Sequence, residues 1–74
     1  MKPGTLDRIV AHVHHAREKH PEWRKTAEYA LSVAELEYGE LRHALHWESP
    51  KRQEEEALDM IAVLVRILEG DHKA

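Results

Sequence analysis

At 74 residues the chain holds one domain at most, and a domain this small buries little of its surface alone, so a partner chain is expected from the outset. It contains no cysteine, which excludes a disulfide framework, a thiolate metal site and a thiol nucleophile. A formal net charge of −3 lacks the basic footprint of general nucleic-acid binding, although protonating all seven histidines would carry that charge to +4.

The N-terminal stretch "MKPGTLDRIV" has no apolar signal-peptide core. No apolar run reaches the roughly 18 to 20 residues of a membrane span, so a soluble, cytoplasmic chain is expected, with no membrane partner. "KPGT" then opens a first helix, predicted over about residues 6 to 19, with Thr5 as N-cap and Asp7 in the first turn. Its apolar positions Leu6, Ile9, Val10, Val13 and Ala16 follow helical spacing.

"HPEW" interrupts that helix, because Pro21 disfavours helix in the residue before it and suits the first turn of the next. A second helix is therefore predicted over about residues 21 to 47, with Trp23, Ala27, Ala30, Ala34, Leu41 and Leu45 along one stripe. "ESP" ends it, and Ser49 with Pro50 caps and starts a third helix that runs to Gly70. No alternating run bounded by turn dipeptides, repeat or low-complexity tract is present. The expectation is an all-α fold, a single domain over residues 1–74.

Residues 57 to 68 of the third helix, "ALDMIAVLVRIL", are apolar around nearly the whole circumference, with Asp59 and Arg66 the exceptions. A helix apolar on all sides must be covered on all sides, and two further helices of the same chain cover only part of it. This predicts a three-helix protomer in an oligomeric helical bundle, a homodimer or larger.

Asp59 then needs an explanation, because an ionised carboxylate in apolar surroundings costs several kcal/mol unless paired, metal-bound or neutralised. Acidic residues three apart share a helix face, and only two such pairs exist in the chain: Glu37 with Glu40, and Glu56 with Asp59. They lie on two helices joined by a short connection, which antiparallel packing would bring together. Four carboxylates in one place repel unless a cation sits among them, and oxygen-only ligation selects a hard ion, Mg²⁺ or Mn²⁺, over Zn²⁺. Gly39, between the first pair, would let a helix or ligand approach the backbone beside such a site.

Glu37-x-x-Glu40, fifteen residues, then Glu56-x-x-Asp59 resembles the signature of the all-α nucleoside triphosphate pyrophosphohydrolases, the group of the MazG-like proteins, the dimeric dUTPases and phosphoribosyl-ATP pyrophosphatase. "ELEYGELRHAL" and "EEEALDMIAVLVRIL" carry the likeness, which covers roughly residues 25 to 69. It implies that Glu37, Glu40, Glu56 and Asp59 bind Mg²⁺ and act in catalysis on a nucleoside triphosphate, with water attacking the α-phosphorus and pyrophosphate released. Two positions depart from the pattern. Leu36 stands where relatives have the first acid of a doublet, with the extra acid displaced to Glu35, and the chain ends fifteen residues after Asp59 without the further basic helix of many relatives.

A substitute for that helix is a basic stripe on the first one, where Arg8, His12, His15 and Lys19 share a face; Arg66, two turns beyond Asp59, is a further substrate-binding candidate. Trp23, Tyr29, Tyr38 and Trp47 are candidates for stacking on a base, and each suits a core or interface equally. Two other readings start from the same residues. Glu40-x-x-His43 with Glu56 matches elements of ferritin-like di-iron bundles but leaves Glu37 and Asp59 without a role. A helical binding or regulatory module that retains the acidic positions without chemistry is the other. There is no Gly-rich phosphate loop, nucleophile elbow or His-Glu-x-x-His motif.

Overall fold

A computed structural model describes all 74 residues and contains three α-helices and no strand: α1 (Thr5–Lys19), α2 (Ala27–Trp47) and α3 (Pro50–Leu68). α1 starts one residue earlier than the Thr5 cap predicts. Gly4 takes the N-cap position at φ 84°, in the left-handed region open to glycine, and Thr5 becomes the first helical residue. Asp7 in the first turn and Arg17 and Lys19 in the last complement the helix dipole.

The second helix is shorter than the proline signal predicts. Residues 21 to 26 are a non-helical connection, and the N-cap is Thr26, whose Oγ1 accepts a hydrogen bond from the Tyr29 amide at 3.0 Å. Trp23 thus reaches the core from a connecting segment and not from a helix stripe. α2 and α3 form a tight antiparallel hairpin, with only Glu48 and Ser49 between them. Ser49 Oγ accepts from the Arg52 amide at 3.3 Å and Pro50 fills the first turn, as its missing N–H allows.

α3 ends in a paired reverse turn. Gly70 sits at φ 85°, its amide bonds to the Ile67 carbonyl at 3.0 Å, and the Asp71 amide reaches back to the Arg66 carbonyl at 2.9 Å. This is the Schellman arrangement that satisfies the carbonyls a helix end leaves free. The turn also aims the Asp71 carboxylate back along the helix toward Arg17 and Arg66, which it holds at 3.0 and 2.6 Å. Those two guanidinium groups pull the Asp71 carboxyl below its ordinary range against the opposing effect of burial.

α3 is the central helix: α1 and α2 both pack on it and not on each other. The apolar centre is small, with Trp23, Ala30 and Val63 flanked by Tyr29, Val33, Ala34 and Ile67. Arg66, 3% exposed, lies 4.5 Å over the Trp23 ring and turns its Nε to Asp71, so its charge is satisfied inside the fold. Several large apolar side chains stay outside, among them Leu31, Leu36, Leu45, Trp47, Leu64 and Leu68. No helix is long and apolar enough to cross a membrane.

Candidate metal centre

The hairpin brings the two acidic pairs together. Glu37 and Glu40 on α2 face Glu56 and Asp59 on α3, and each of the four offers a carboxylate oxygen within 4.8 Å of those of the other three. Their environments differ. Glu56 is 4% exposed, Glu37 and Asp59 are partly buried, and Glu40 lies at the surface.

Proton affinity follows from that crowding. Burial raises the Glu37 carboxyl from its ordinary value of 4.5 to about 7, assisted by the negative charges of Glu40, Asp59 and Glu56. Glu56 is also raised, by burial and then by Asp59 and Glu40, and Arg52 opposes the shift. Arg52 is a residue that the acidic pattern alone does not single out. It stands one turn before Glu56 and donates to Glu56 Oε1, to Glu55 and to Glu48. The signal for it was present in the i, i+4 spacing of Arg52 and Glu56, a spacing that pairs opposite charges on a helix.

Two oxygens remain without partners. Glu37 Oε2 and Glu56 Oε2 are buried and accept no hydrogen bond. A buried unpaired carboxylate oxygen is costly, and its natural complement is a cation or a proton. The donors that converge here are all carboxylate oxygens, so the set fits a hard divalent ion such as Mg²⁺ or Mn²⁺.

α1 joins the centre through one contact: His12 Nε2 meets Asp59 Oδ1, linking positions 47 apart in the chain. The carboxylates lie between two openings. On the α1 side a groove of about 490 Å³ is lined by Glu37 and Asp59 of the centre and by His12, His15, Lys19 and His20. On the other side a more open hollow of about 580 Å³ is bordered by Glu40, Glu56, Glu35, Glu48, His43 and Arg52.

The remaining sequence candidates separate cleanly. Arg8 is exposed and paired with Glu54 at 3.3 Å, and it does not line the groove. His12, His15 and Lys19 do line it. Arg66 borders it too, but with its guanidinium committed to Asp71 and Trp23. Trp23 and Tyr29 meet edge to face at 5.8 Å, whereas Tyr38 and Trp47 are exposed. His43 lies in the outer hollow and is not one of the four converging ligands. An added Cβ at Gly39 would meet nothing within 4 Å, so no element of the protomer uses the approach that this glycine leaves open.

In comparisons with known protein families, curated proteins and solved structures, the chain matches none.

Proposed function

We propose that the chain is a divalent-cation-dependent nucleoside triphosphate pyrophosphohydrolase, which converts a nucleoside triphosphate and water to the monophosphate and pyrophosphate. The observation that supports it best is the convergence of Glu37, Glu40, Glu56 and Asp59, with two buried oxygens of the set left unpartnered. The resemblance of the two acidic pairs to those of the all-α pyrophosphohydrolases narrows the reaction to this class.

In this reading the four carboxylates hold Mg²⁺, or Mn²⁺ in its place; the ion, when bound, neutralises phosphate charge and lowers the pKa of a water. Arg52 and burial fix Glu56, and His12 orients Asp59. A carboxylate oxygen not engaged by the ion accepts the proton of the attacking water. The new bond forms at the α-phosphorus, and the bridging oxygen to the β-phosphorus leaves with the pyrophosphate.

The protomer is read as one unit of a homodimer or larger assembly. Leu64 and Leu68, one turn apart, stand outward on the central helix, and Leu31, Leu36 and Leu45 are exposed on its neighbour. Covering exposed apolar side chains, the Leu64 and Leu68 pair first among them, is the ordinary reason for association in a chain this small.

The test is pyrophosphate release from a panel of ribo- and deoxyribonucleoside triphosphates with Mg²⁺ or Mn²⁺, with Glu40→Gln as control. Release by the parent and its loss in the variant is expected. No release by the parent from any triphosphate would overturn the assignment and leave a cation-binding helical module.

A further inference from the structure

We propose that the groove between α1 and α2 is the seat of a condensed phosphate chain, with His15 and Lys19 as its protein ligands and the carboxylate centre bordering it. This rests on the reading of the four carboxylates as a cation site, for which Glu56 supplies the firmest ground: it is 4% exposed and its Oε2 has no partner.

Continuity comes first. Glu37 and Asp59 belong both to the carboxylate cluster and to the groove, so a ligand lying in the groove touches the centre directly. Charge then separates the two openings. Each opening is bordered by two acids of the cluster; beyond these the outer hollow carries Glu35 and Glu48, and its one arginine is already shared among three carboxylates. A polyanion is repelled there. The groove carries only Glu55 as an acid outside the cluster, set against a wall of nitrogen donors from α1.

Availability decides which of those donors are free to bind. Arg8 is occupied by Glu54, Arg17 by Glu69 and Asp71, Arg66 by Asp71, and Lys25 by the Asp71 carbonyl. His12 is occupied by Asp59. His15, Lys19 and His20 are exposed, engage no other side chain and line the groove; His15 and Lys19 stand one turn apart on α1, while His20 lies past its end. A seven-residue step separates His12 from Lys19, about 10 Å at the rise of an α-helix. An anion that extends from the centre toward Lys19 is therefore matched better by a chain of phosphates than by a single one.

The test uses the full chain, its Mg²⁺ affinity measured first by calorimetry, and inorganic tripolyphosphate and orthophosphate as probes in the presence of Mg²⁺. The parent is expected to bind tripolyphosphate at least tenfold more tightly than orthophosphate. Lys19→Ala combined with His15→Ala should weaken tripolyphosphate tenfold or more and leave Mg²⁺ affinity unchanged, while Lys19→Arg retains binding. Lys51→Ala, the same charge change at an exposed site outside the groove, should have no effect. Both α1 side chains are exposed, so the double variant keeps the fold, which helical circular dichroism checks.

Parent-like tripolyphosphate binding by the double variant, or an equal loss in Lys51→Ala, overturns the groove assignment alone. Absence of Mg²⁺ binding by the parent overturns the carboxylate reading and this proposal with it. These failures are distinguishable because Mg²⁺ and tripolyphosphate are titrated separately.

Discussion

Arg52 donates to one oxygen of Glu56 while the other oxygen of the same carboxylate is buried with no partner. One carboxylate is thus half paired and half waiting. Without a divalent ion, Arg52 is the only cation in the protein that offsets the charge of Glu56. Arg52→Ala is expected to lower the melting temperature of the ion-free protein, and millimolar Mg²⁺ should close most of the gap. Thermal melts in chelator and in Mg²⁺ measure this. A gap that Mg²⁺ leaves untouched would show that Arg52 acts through its pairs with Glu48 and Glu55 and not through the carboxylate centre.

Glu37 carries a pH signature of opposite sign to the usual carboxylate. Its folded-state value, about 7, lies above the ordinary 4.5, so between those values the folded protein binds the proton more tightly than the unfolded chain. This contribution favours folding at low pH and is lost as pH rises from about 4.5 through about 7. In chelator the loss should be about 1 to 2 kcal/mol once solvent screening is allowed for. Glu37→Gln removes the titrating group, and should flatten the slope between pH 5 and 8 in denaturant titrations. A parent that becomes steadily more stable over that window, with no difference from the variant, would contradict the crowding of the four carboxylates.

The three helices and the acidic pairs were legible in the sequence because helical spacing and punctuation are local signals. Gly4, Thr26, Ser49 and Gly70 act within a few residues of where they sit. The start of α2 was not legible in the same way. Pro21 favours a helix start and Thr26 also favours one, and the packing of Trp23 on Ala30 and Val63 goes with the later start. The convergence of the four carboxylates followed from spacing plus a short connection. The contact of His12 with Asp59 and the commitment of Arg66 to Asp71 did not, because each depends on how distant or reversed segments meet in space.

Trp23 illustrates how much such a segment can hold. It is 6% exposed, packs on Ala30 and Val63, and forms the surface on which Arg66 rests. Trp23→Ala should cost about 3 to 5 kcal/mol, a large part of the stability expected of so small a domain. Urea unfolding measures it. Trp23→Phe keeps an aromatic face under the guanidinium and should recover much of the loss.

The charge balance of the centre makes a further pair of substitutions informative. Glu40→Gln and Asp59→Asn each remove one negative charge from a group of four whose oxygens lie within 4.8 Å of one another. Each should lower Mg²⁺ affinity at least tenfold in a calorimetric titration and leave the helical fold intact. Because the ion-free centre is repulsive and Glu40 has no cationic partner, Glu40→Gln should melt at or above the parent in chelator, whereas Asp59→Asn also weakens the contact with His12. Unchanged Mg²⁺ affinity in both would remove these residues from the ligand set.

His12 tests whether α1 takes part in the chemistry or only in the packing. Its ring meets Asp59 Oδ1, and a partner behind a metal-binding carboxylate orients that ligand without touching the ion. His12→Ala should therefore weaken Mg²⁺ binding by about 10- to 100-fold, the range in which outer partners of metal ligands act. His12→Gln keeps a side-chain N–H donor of comparable reach and should recover part of that affinity, which a loss of packing alone would not allow. His12 is partly exposed and contributes little apolar surface, so the stability of the ion-free protein should change far less than its affinity for the ion. Equal Mg²⁺ affinity in His12→Ala and the parent would confine α1 to the wall of the groove, with Asp59 held by α3 alone.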